Sequence, residues 1–191
     1  MKAKNLLLVT LIILSVSCKT IKPVAEKGTG VAPNSPSASI APDAAINFSD
    51  PGTWLLGYFN PVKLTGEPYS SWYIKGYDDY QLNTEAVNNL FDINKEGLMI
   101  KIVMGTWCPD SRREVPRFMR ILDIWQFPAG KVTFIGVDNE KHSPVDDFDK
   151  LDIQRVPTFI IYKNNIEAGR IIENPATSLE QDMVNILKRN E

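Results

Sequence analysis

Leu98-Met99-Ile100-Lys101-Ile102-Val103-Met104 followed by Gly105-Thr106-Trp107-Cys108-Pro109-Asp110-Ser111-Arg112-Arg113 decides how this chain folds. The first seven residues are apolar at every position but Lys101, the pattern of a central strand covered on both faces. Pro109 suits the first turn of a helix, where its missing N–H has no intrahelical partner to lose. Cys108 therefore stands where a strand gives way to a helix. Its sulfur is expected to lie exposed at the helix mouth, facing unpaired N–H groups and the positive end of the helix dipole. Both favour a thiolate, and Arg112 and Arg113 add positive charge one turn on, with Asp110 opposing them.

Outward from this stretch toward the C-terminus, Val115, Phe118, Met119, Leu122 and Trp125 recur at helical spacing, so a helix over residues 109–126 buries one face. Pro116 lies inside it and is expected to kink it. Residues 131–137 read as a strand running into the acidic stretch Asp146, Asp147, Asp149 and Asp152. That stretch lacks the glycine and terminal glutamate of an EF-hand loop, and the solvated face of a helix is the expectation. Residues 158–162 and 166–172 form a hairpin across Lys163-Asn164-Asn165, where asparagine tolerates positive φ. Residues 177–188 close the chain as a helix with Leu179, Met183, Ile186 and Leu187 on one side.

Toward the N-terminus, residues 54–59 read as a strand after a Pro51-Gly52 turn. Tyr69, Trp72, Tyr73, Tyr77 and Tyr80 follow at roughly helical spacing, and residues 84–92 look like a further helix. An aromatic stripe of this kind packs an element against a sheet. The order is β-α-β-α-β-α-β-β-α, which implies an α/β fold with a mixed central sheet and helices on both faces.

Before residue 48 the composition changes. Lys2 and Lys4 precede an apolar eleven-residue run, 6–16, too short for a bilayer span of about 20 residues. The run ends in Leu14-Ser15-Val16-Ser17-Cys18, which resembles a bacterial lipoprotein lipobox, although Ser15 holds the position where leucine is commonest. The expectation is a signal peptide over 1–17, an acylated Cys18, and a flexible Pro-, Ser- and Ala-rich tether over 18–47 leading to a domain over 48–191. Simple signal-peptide cleavage or an uncleaved anchor is the alternative. Acylation would leave Cys108 as the one free thiol, in a compartment that permits disulfides.

Trp107-Cys108-Pro109 at the helix start, Pro116 within the helix and Val156-Pro157-Thr158 before the hairpin together resemble a thioredoxin family domain over residues 98–188. Within that family the chain looks like the thioredoxin-like lipoproteins of bacteria. The resemblance implies a thioredoxin-like fold in which Pro157 is cis and packs beside Cys108. Val156 then offers backbone hydrogen bonds to an extended substrate. It further implies a catalytic motif of Trp107, Cys108, Pro109 and Ser111, thiol- or disulfide-bearing envelope proteins and an external thiol reductant as partners, and no cofactor or metal. It places the protein in the bacterial cell envelope, lipid-anchored, with its soluble domain outside the cytoplasm.

Two departures from the family matter. Ser111 stands where a resolving cysteine would be, so no intramolecular disulfide can form and a mixed disulfide must wait for an external thiol. Ile102 replaces the acid that thioredoxins often bury to move protons to and from that second cysteine.

A net charge of -2 on 191 residues, without a basic face, excludes a nucleic-acid partner as the expectation, and removal of Lys2 and Lys4 would make the chain more acidic still. The single histidine, His142, sits in a loop-like Lys-His-Ser-Pro run and cannot assemble a metal site or a Cys–His pair in the family geometry. Three readings remain open: a monothiol redox protein, a module that binds extended peptides beside Pro157 without covalent chemistry, and an inert buried Cys108.

Overall fold

The computed structural model describes residues 46–189. The expected signal peptide, Cys18 and the tether up to residue 45 lie outside those residues. Five strands, β1 (Gly57–Phe59), β2 (Leu98–Met104), β3 (Val132–Gly136), β4 (Thr158–Lys163) and β5 (Ile166–Ile172), form one sheet in the order β1-β3-β2-β4-β5. Only β2 and β3 run parallel; the other pairs are antiparallel. The α-helices are α1 (Ser70–Asp78), α2 (Thr84–Phe91), α3 (Pro109–Ile124) and α4 (Leu179–Lys188). The described residues are thus an α/β fold with a mixed sheet.

Local chemistry sets the boundaries. Asn83 caps α2 by accepting from the Ala86 N–H, and Ser178 caps α4 by accepting from the Gln181 N–H. Asn164 and Asn165 both take positive φ, 51° and 66°, so the β4–β5 hairpin turns on two residues as the right-handed strand twist prefers. α3 runs through Pro116, against whose ring α1 sits at Gly76: a Cβ on Gly76 would lie 2.7 Å from the proline Cγ. A glycine there lets the two helices touch.

Alternation along the strands sends side chains to two clusters. Leu98, Ile100, Ile102 and Met104 of β2, Phe134 of β3 and Phe159 and Ile161 of β4 meet residues from all four α-helices in one core. Phe118 of α3 stacks on Phe159 at 4.1 Å between ring centres. The aromatic stripe belongs to this core: Tyr69 and Tyr73 are buried, while Trp72 and Tyr80 pack on it partly exposed. Each such side chain, fully buried, stabilises the fold by roughly 1.5–3 kcal/mol.

The other face differs from the sequence expectation. Val103, Ile135, Val137 and Ile160 are covered there by Val145, Phe148, Leu151, Ile153 and Val156, which come from the connection between β3 and β4. The acidic stretch expected to be a helix is a 3-10 turn, Phe148–Leu151, flanked by Asp147 and Asp152 in left-handed conformation. All four α-helices of the described residues pack on one face, and among those residues the opposite face carries a loop, not a helical layer. Left-handed residues at both ends stop the turn from propagating, and only Phe148 of the turn is buried, so little apolar surface rewards a longer helix.

Candidate functional site

Two loops build the site. The strand β2 ends at Met104, the chain passes Gly105, and Cys108 becomes the N-cap residue of α3 in extended conformation. From the other side, the segment before β4 brings in Val156 and Pro157, joined by a cis peptide bond. The Cys108 Sγ lies 3.3 Å from the Val156 carbonyl oxygen, to which the thiol donates. The sequence-predicted Trp107, Cys108, Pro109, Val156 and Pro157 therefore converge on one place.

Their exposures are uneven. Pro109 is on the surface and Trp107 half-buried, whereas Val156 and Pro157 are buried. Cys108 is 7% exposed, so the sulfur expected to stand open at the helix mouth is instead largely covered. The cause is tertiary: Val156 and Trp107 pack against it in the loop-side cluster. Ser111 is fully buried, and its Oγ accepts from the Gly105 N–H at 3.3 Å, which fixes the loop ahead of the cysteine. Ile102 is likewise fully buried, in the helix-side core.

A strap missed by the sequence reading completes the site. Residues 47–55 run against the loop of 105–108. Thr106, almost fully buried, donates its hydroxyl to the Thr53 carbonyl at 3.1 Å and accepts from the Leu55 N–H at 3.3 Å. Trp54 donates its indole N–H to the Phe48 carbonyl at 2.9 Å and tilts against Trp107 at 6.4 Å, while Trp107 donates to the Val137 carbonyl at 3.0 Å. The Arg112 guanidinium lies over the Phe48 ring at 4.6 Å and donates to the Thr106 carbonyl at 3.4 Å. Burial lowers the Arg112 pKa, and the nearby Cys108 sulfur pulls it back up. No local pattern marks this strap, because its partners lie about 50 residues or more away.

The arginine on the next position is occupied elsewhere. Arg113 pairs with Asp110 at 2.7 Å and with the buried Glu114 at 2.6 Å, and Arg155 pairs with Glu173 at 2.8 Å. His142 is remote in role: its ring is mostly exposed, with Nδ1 3.6 Å from both Asp138 and Glu140, and it makes no pair with Cys108. Among the described residues no group of three or more His, Cys, Asp or Glu gathers to hold a metal ion, and no helix is long and apolar enough to cross a membrane.

No family model matches this chain, and no curated protein does. A similar solved structure is that of a protein of unknown function from Pseudomonas aeruginosa. It is 12% identical, spans 70% of this chain and 91% of its own, and superposes with a TM-score of 0.49. At that distance neither a fold family nor an activity follows from the likeness.

Proposed function

We propose that this chain is a thioredoxin-like monothiol protein of the bacterial cell envelope, anchored through Cys18, that exchanges disulfides with client proteins at Cys108. The observation that supports it is the 3.3 Å contact between the Cys108 Sγ, at the N-cap of α3, and the carbonyl of Val156. In the exchange, the Cys108 thiolate attacks one sulfur of a client disulfide. A Cys108–client disulfide forms and the second client sulfur leaves as a thiolate, which takes up the proton Cys108 released. Ser111 offers no second sulfur, so a thiol from another molecule must attack the adduct, restoring Cys108 and carrying away the client sulfur in a new disulfide.

The test is trapping. Full-length protein incubated with a disulfide-bonded peptide and acid-quenched should carry one peptide on Cys108 by intact mass spectrometry. Ser111→Cys should abolish the accumulation by closing a 108–111 disulfide. Absence of any adduct on the wild-type chain would sink the proposal.

The coverage of Cys108 favours the reading of an inert, buried cysteine, and with it a second one, in which a surface beside Pro157 binds an extended peptide without covalent chemistry. Under it Cys108→Ala binds the same peptides with unchanged affinity in calorimetry, and no adduct forms. The engaged, 7% exposed thiol is the observation behind this alternative.

A further inference from the structure

The charges around Cys108 are not equally satisfied. Arg113 has Asp110 and Glu114, and Arg155 has Glu173. Arg112, half-buried, has no carboxylate partner among the ion pairs of the described residues: its contacts are the Phe48 ring and the Thr106 carbonyl. A half-buried cation without a counter-ion is screened less than a surface one and acts over a longer distance. The strap of 47–55 holds it there, because Phe48 is fixed in turn by Trp54 and by its contact with Tyr69 at 6.3 Å.

We infer that Arg112 is a specificity-determining residue of this thiol site and selects disulfides that carry negative charge beside the reacting sulfurs. The inference rests on the thiol-exchange reading given above. Its logic is electrostatic. The guanidinium is held at the Thr106 carbonyl, two residues before Cys108, with no carboxylate of its own among the described ion pairs. A carboxylate on the client supplies that missing counter-charge in the adduct and in the transition state leading to it. Acidic peptide disulfides and carboxylate-bearing thiols are the substrate class this favours. Phe48 and Thr106 are the positioning residues that keep the guanidinium in place.

The experiment compares three small disulfides on the full-length protein: anionic dithiobis(nitrobenzoate), neutral dithiodipyridine and cationic cystamine. Each stopped-flow rate is divided by the rate of a free cysteine amide with the same probe, which removes intrinsic reactivity. The wild type should favour the anionic over the cationic probe, and added salt should erode that preference. Arg112→Gln should reduce the ratio about ten-fold, roughly the size of one close charge interaction in a water-like dielectric. Arg112→Lys should retain part of it, and Phe48→Ala should lower it by releasing the guanidinium. Arg155→Gln serves as control and should leave it unchanged. Equal normalised rates for all three probes, insensitive to salt, overturn the inference while leaving thiol exchange intact. Failure of the wild type to react with any probe overturns the thiol reading itself. If Arg112→Gln does not fold, the salt dependence of the wild type and the Phe48→Ala ratio decide.

Discussion

On one face of the sheet, Phe118 of α3 stacks on Phe159 of β4 and four helices close over Ile100 and Ile102; on the other, Val103, Ile135 and Ile160 lie beneath a loop with a single 3-10 turn. The helical side is deep and also carries buried polar anchors. Glu180, fully buried at the start of α4, accepts from the Tyr80 hydroxyl at 3.0 Å and from the Asn83 N–H at 3.1 Å. Trp125 donates its indole N–H to the Leu90 carbonyl at 2.6 Å. The loop side is thinner, and Cys108 with Val156 belongs to it. Elements that admit partners are drawn from the less stable parts of a structure. The difference teaches that the fold is held from one side and its candidate chemistry is offered from the other.

The sharpest way to break this contrast is a pair of truncations. Phe118→Ala should cost about 3–5 kcal/mol in urea denaturation, because four helices cannot collapse into the space left. Phe148→Ala should cost less, about 1–3 kcal/mol, because the covering loop can settle inward. Equal losses would mean that the loop layer is as structural as the helical one.

A smaller effect tests the polar anchors. Glu180→Ala removes the charged acceptor of two part-buried hydrogen bonds, from the Tyr80 hydroxyl and the Asn83 N–H, at a cost of about 1–3 kcal/mol. Glu180→Gln keeps an oxygen for one of them and should lose less. A Glu180→Ala protein with wild-type stability would show that the anchor contributes nothing.

The mildest perturbation is alkaline. Burial first, then the neighbouring Asp123, pushes the phenols of Tyr73 and Tyr77 up to about 12. Burial likewise raises Tyr80, with Glu180 adding to it, well beyond the ordinary phenol range. A phenol whose folded pKa exceeds its unfolded value of about 10 disfavours the folded chain once unfolded phenols begin to lose protons, because the folded phenol still holds its own. The stability it contributes is fully present below pH about 10 and is lost as pH rises through the folded value. Tm should therefore be insensitive to these groups near neutrality and fall between pH 10 and 12. Tyr73→Phe should flatten that fall. Hydrogen exchange at alkaline pH should show the opening in α1 and its neighbours and spare the segment around Phe148, if the two faces are independent.

Most elements were legible in the sequence. β2 is apolar at all but one position, the turn at Asn164 and Asn165 carries its own φ preference, and α3 starts at Pro109 with a periodic buried face. Trp107, Cys108, Pro109, Val156 and Pro157 are the residues that the resemblance to a thioredoxin family domain points to, and the fold brings them together. The acidic stretch was misread because its charges suit a helix face while its left-handed ends do not. The burial of Cys108, the inward turn of Ser111 and the strap that holds Arg112 had no local mark. Glu180 looked like an ordinary acid in a first helical turn, and only the docking of α4 against residues 80–83 buries it.

The sequence alone determined most of the strands and helices and where a cysteine would meet the start of a helix, because periodicity, proline and capping chemistry act over a few residues. The tertiary structure decided that the helices share one face, that Val156 and Trp107 cover the sulfur, and that Phe48 lies over Arg112. Those outcomes depend on contacts between residues far apart in the chain, whose free energy is realised only when the whole sheet is assembled.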